Sequence, residues 1–132
     1  MTIAPTALTD ETAGALAQVA RYPRLRFMGS KYRLTPQLAE VFAELGGHTA
    51  LDAFSGSGVV SYLLKAMGYQ VTSNDFMNFP STITGATVAN SSTRLTMADI
   101  DMLCGPPADS RSFVSDTFDG LYFTPEDRAF ID

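Results

Sequence analysis

Tryptophan is absent from this 132-residue sequence, cysteine and histidine occur once each, and bases are few. A lone Cys104 excludes an internal disulfide framework and fits a reducing cytoplasm. With His48 as its single companion, a zinc site of the usual cysteine and histidine kind is not expected, and no metal is expected at all. No apolar run approaches the ~20 residues of a membrane span, and no secretory signal opens the chain, so no membrane partner is expected. Nine bases against fourteen acids give a net charge of −5. That balance argues against a nucleic-acid surface spread over the whole domain, and any such surface must be local.

What is present gathers around Leu51-Asp52-Ala53-Phe54-Ser55-Gly56-Ser57-Gly58. His48 to Leu51 runs into it without polar alternation and predicts a buried strand. The glycines predict a tight turn, and Val59 to Met67 a helix closed by Gly68. Tyr69 to Asn74 then predicts a second strand ending at Asp75. Strand, glycine turn, helix and a later acid form a cradle for a nucleoside cofactor. Glycine lets backbone approach the ligand, the helix start offers free N–H groups, and the carboxylate suits ribose hydroxyls. A glycine turn in any αβ protein, with Asp75 capping a loop, is the plainer alternative.

Upstream, Thr9 with Asp10 and Glu11 predicts a helix start, and the stripe Ala15, Leu16, Val19, Ala20 its apolar face. The first eight residues are expected to fray. Thr35-Pro36 predicts a second helix, capped by the threonine and ending at Gly46-Gly47. Between them, Arg21 to Arg33 carries five of the nine bases interleaved with aromatics. Such a segment suits anions or nucleic acid, and suits equally a solvated loop whose aromatics pack inward. Downstream, helices are expected over Ser81–Ala89, from Thr96 through Leu103, over Ser110–Phe118 and from Thr124-Pro125 onward. Two strands cannot cover a parallel sheet, so the chain reads as the first part of a longer protein.

Three stretches together resemble the adenine-specific DNA methyltransferases of the DNA adenine methylase, or D12, class. They are Phe27-Met28-Gly29-Ser30-Lys31-Tyr32, the run from Leu51 to Tyr62, and Ser73-Asn74-Asp75, with Tyr122 to Glu126 as a weaker fourth. The resemblance implies S-adenosylmethionine as cofactor, double-stranded DNA as partner and, in many members, a restriction–modification role. It implies an α/β, Rossmann-like methyltransferase fold, here incomplete: residues 1–21 as a helical extension and 22–132 as the start of the methyltransferase domain. By the same resemblance, Phe27 and Lys31 lie near the methionine end of the cofactor, with Lys31 facing its carboxylate. Phe54, Gly56, Ser57 and Gly58 form the turn, Asp52 accepts hydrogen bonds from the turn or the cofactor, Asp75 grips the ribose and Phe76 lies against adenine.

The class's catalytic signature, Asp or Asn followed by Pro-Pro and an aromatic, is missing. Pro106-Pro107 sits between Gly105 and Ala108 and lacks both the polar and the aromatic member, so no catalytic residue is assigned. Two alternatives stand beside the first reading. A nicotinamide-dependent dehydrogenase fails at Ser61, where a third glycine or alanine belongs. A catalytically inactive nucleoside-binding module or partner subunit would also lack the signature.

Overall fold

The computed structural model describes residues 9–106 and 111–132. They form two compact units that divide between Ser92 and Thr93. The fraying expected of residues 1–8 and the pair Pro106-Pro107 fall wholly or partly outside the described residues.

The first unit is α/β with a small parallel sheet. Helix α1 (Asp10–Val19) starts where Thr9 caps it, its hydroxyl accepting from the Thr12 amide. A 3-10 turn (Tyr32–Leu34) leads into α2 (Thr35–Leu45). Thr35 is not the cap: it is the first helical residue, and its hydroxyl donates back to the Tyr32 carbonyl at 2.9 Å. The 3-10 turn already supplies helical backbone ahead of it, which leaves no extended residue to cap from. Strand β1 (Thr49–Asp52) is followed by α3 (Val59–Ala66) and β2 (Gln70–Ser73), and the strands pair in parallel with Leu51 opposite Thr72.

The buried-strand expectation is corrected here. Both strands alternate, with Ala50, Asp52, Val71 and Ser73 half-buried and their neighbours exposed, and Leu51 is 67% exposed. Helix α3 packs against the strands and shields one set of side chains, whereas the other set meets solvent. The core therefore lies mainly among helices. Ala15 and Val19 of α1, Ala39 of α2, Val59 and Leu63 of α3 and Tyr22 form one buried cluster. Burial of Val19, Val59 and Leu63 contributes about 1.5–3 kcal/mol each over exposure.

After β2, α4 (Asn78–Thr84) begins three residues earlier than expected and passes into a π-helical turn, Gly85–Ala89. The carbonyls that end this turn have no following helical amides to accept from. Lys65 Nζ takes them, donating to the oxygens of Val88 and Asn90 at 2.6 Å each and of Thr87 at 3.3 Å.

The second unit holds α5 (Met97–Cys104), α6 (Phe113–Thr117) and α7 (Pro125–Ile131). Reciprocal capping boxes, Thr96 with Asp99 and Thr124 with Asp127, fix the starts of α5 and α7. Helices α6 and α7 pack together, and the Asp132 carboxylate accepts from the Val114 and Ser115 amides at 2.7 and 2.8 Å.

Candidate cofactor site

The site begins where the β1–β2 ladder runs on into the turn. Beyond the strand ends, Asn74 N–H donates to the Asp52 carbonyl at 2.8 Å and Ser55 N–H to the Asn74 carbonyl at 2.9 Å. This stitching carries the end of β2 to the mouth of the turn, so Asp75 meets Gly56 although nineteen residues separate them. The Gly56 amide donates to Asp75 Oδ2 at 2.8 Å, and the Met77 amide to Oδ1 at 3.0 Å. Those amides, Met77 first and Gly56 next, hold the Asp75 carboxyl below the usual carboxylate range.

Both glycines of the turn have positive φ, +49° at Gly56 and +75° at Gly58. Space is short as well. A Cβ on Gly56 would lie 3.1 Å from the Phe27 ring, and one on Gly58 would lie 2.7 Å from Tyr22 Oη. Tyr22 is buried, donates its hydroxyl hydrogen to the Ser57 carbonyl at 2.8 Å, and has its pKa raised by that burial. Ser30 and Ser57 hydroxyls meet at 3.1 Å, which ties the preceding loop to the same residue. Below the turn, the fully buried Ser61 donates to Asp52 Oδ2 at 2.6 Å.

A hollow of about 370 Å³ opens above these residues, within the size range of small-ligand sites. Of the nine residues expected at a cofactor, Phe27, Lys31, Asp52, Phe54, Gly56, Ser57 and Asp75 line it. Gly58 does not: it is buried behind the turn against Tyr22 and Thr84, and it shapes the site from beneath. Phe76 is not in the lining either and projects into solvent, 98% exposed, beside an 87% exposed Phe54. Lys31 Nζ donates to the Gly29 carbonyl at 2.9 Å and is exposed. Among the described residues no cluster of three metal-ligating side chains occurs, and no helix is long and apolar enough to cross a membrane.

Three participants escaped the sequence reading. Ser55 lines the hollow, is 6% exposed, and its hydroxyl has no protein partner. A sealed hydroxyl without a partner is costly unless a ligand or water completes it. Its signal was present, since Ser55 sits inside the glycine turn. Ser61 drew attention as an obstacle to dinucleotide binding and is instead the partner of Asp52. Tyr22 looked like one aromatic of a basic segment, and no local pattern announces that it props the turn.

Comparison with known proteins bears on what such a turn serves. Residues 27–104, more than half of the chain, match the profile of the D12 class N6 adenine-specific DNA methyltransferases. The chain belongs to that family. A type II methyltransferase, M2.HphI of Haemophilus parahaemolyticus, is 28% identical over 112 residues, which cover 85% of this chain and 33% of the relative. The chain thus spans about a third of the length of this curated relative. No solved structure matches it. The D12 match begins at Phe27 and takes in the loop, the turn and Asp75, the same residues that surround the hollow.

Proposed function

We propose that this chain is the S-adenosylmethionine-binding, N-terminal part of a site-specific DNA methyltransferase that methylates adenine N6. One observation carries the proposal: a cation, two carboxylates and a glycine turn from three separate stretches line a single hollow. The donor set fits the cofactor, which carries an amino acid end, two ribose hydroxyls and a flat base. Lys31 offers a donor for the carboxylate, Asp75 retains acceptor lone pairs for hydroxyls, and the solvent-facing rings of Phe54 and Phe76 offer planes for stacking. The partnerless Ser55 hydroxyl supplies a further group that a bound polar ligand would satisfy.

When bound, S-adenosylmethionine supplies an electrophilic methyl group for transfer to the amine. The residues here bind and orient; none of them is assigned a proton transfer. In this reading residues 22–132 begin a Rossmann-like methyltransferase domain with α1 as a helical extension docked on it. Its partner is double-stranded DNA and its compartment the cytoplasm, within a restriction–modification context.

Calorimetric titration of S-adenosylmethionine into the 132-residue chain tests the reading. Binding is expected, and Asp75→Ala should weaken it about tenfold, the equivalent of one charge-assisted hydrogen bond pair. Absence of binding, or an unchanged affinity in a variant whose circular dichroism matches the parent, overturns it.

A further inference from the structure

We propose that the segment Arg21–Arg33 is a docking surface for the phosphate backbone of double-stranded DNA, centred on Arg24 and Arg33. The proposal rests on the functional reading above for the identity of the polyanion, and on the segment's own chemistry for its place. Five of the nine bases lie in these thirteen residues with no acid among them, leaving four bases against fourteen acids elsewhere. Within the first unit the remaining base, Lys65, is taken up by backbone carbonyls, so the cations open to a polyanion there are those of this segment.

These cations have no acidic partners among the described residues. Arg21, Arg24, Arg26, Lys31 and Arg33 are all exposed, and among the described residues none of them forms an ion pair. The Arg24 guanidinium stands 4.4 Å from the Tyr32 ring centroid, a contact that restrains the side chain without using its N–H donors. Arg24, Tyr32 and Arg33 border a cleft of about 370 Å³ that also reaches Ser30 and Ser57. A solvated loop would be free to wander, but this one is pinned twice to the glycine turn. Tyr22 Oη donates to the Ser57 carbonyl at 2.8 Å, and the Ser30 hydroxyl meets the Ser57 hydroxyl at 3.1 Å.

Pinning has a functional consequence. The cleft and the hollow share Phe27, Gly29, Ser30, Ser57 and Val59 as a common wall. Phosphates held at Arg24 and Arg33 would therefore run along one side of the wall whose other side faces the methyl donor. The loop sets the register between the two, with no need for base contacts from this part of the chain.

The test is fluorescence anisotropy of a labelled 20-base-pair duplex titrated with the full 132-residue chain at several salt concentrations. Two phosphate contacts correspond to a change of about 1.8 in the slope of log K against log salt. Arg24→Ala/Arg33→Ala should reduce the slope by that amount and weaken binding roughly a hundredfold at 50 mM salt. Arg94→Ala should change neither. Asp75→Ala, which tests the cofactor reading, should leave duplex binding intact, so failure of the two ideas shows in different titrations. An unchanged slope in the double variant overturns the docking surface, as does an equal loss in Arg94→Ala.

Discussion

Gly58→Ala is expected to be the most damaging single-methyl change in the turn, for two separable reasons. Its φ of +75° lies in the left-handed region, which costs an L-residue about 1–2 kcal/mol. The added Cβ would also stand 2.7 Å from Tyr22 Oη and 3.0 Å from Thr84 Cγ2. Neither neighbour can yield cheaply: Tyr22 is buried in the core cluster and holds the Ser57 carbonyl, and Thr84 is buried at the end of α4. Overpacking of this kind adds about 1–3 kcal/mol. The expected loss is therefore about 2–5 kcal/mol, a large part of the 5–15 kcal/mol typical of a domain.

Gly68 provides the internal control. Its φ of +87° brings the same conformational strain, but a Cβ there meets nothing within 4 Å. Gly68→Ala should lose only about 1–2 kcal/mol. Urea unfolding followed by tyrosine fluorescence suits the comparison, because the sequence has no tryptophan and four of its five tyrosines, Tyr22, Tyr32, Tyr62 and Tyr69, lie in the first unit. Equal losses in the two variants would refute the claim that Tyr22 and Thr84 crowd the turn.

Lys65→Met keeps the aliphatic stem and removes the donor to three carbonyls, so the π-helical turn should lose about 1–3 kcal/mol and the amides of Gly85 to Asn90 should exchange faster. Exchange rates unchanged there would show that the wide turn holds without Lys65. Asp75 predicts an acid limb: its folded carboxyl is lowered, so its contribution is complete above the unfolded value of about 3.9 and disappears as pH falls through the folded value. Asp75→Asn should flatten the fall of melting temperature below about pH 4, and superimposable profiles would remove the Gly56 and Met77 bonds from the account.

Local order was open to inspection in the sequence, and long-range order was not. The succession of strand, turn, helix and strand follows from glycine positions and apolar runs, and Thr9, Thr96 and Thr124 each cap the helix they precede. Thr35 does not, because a 3-10 turn ahead of it depends on how Tyr32 packs. The side of β1 that meets solvent was illegible for a similar reason. Thr49-Ala50-Leu51 carries no charge to mark it, and only the placement of α3 decides which residues are covered. The site divides in the same way. The two glycines lie within one short motif and Asp75 closes the strand that follows its helix, whereas Tyr22 reaches Ser57 across thirty-five residues and leaves no periodic trace.

Those distant contacts bear on how the turn would serve as a template in the proposed reading. A glycine-rich loop gains close backbone approach at the expense of rigidity, since glycine has the most conformational freedom to lose on ordering. Here the loop is restrained from three directions. Tyr22 fixes the Ser57 carbonyl, Asp75 fixes the Gly56 amide, and Asp52 below it is fixed by Ser61. Much of the ordering that a ligand would otherwise have to impose is thus met by the fold, which favours affinity through preorganisation. Lys31 and Phe54, exposed at the edge of the hollow, are in the proposed reading the groups that would meet a ligand from the solvent side. In that reading Asp75 and Ser55 belong to the restrained floor and Lys31 to the exposed edge.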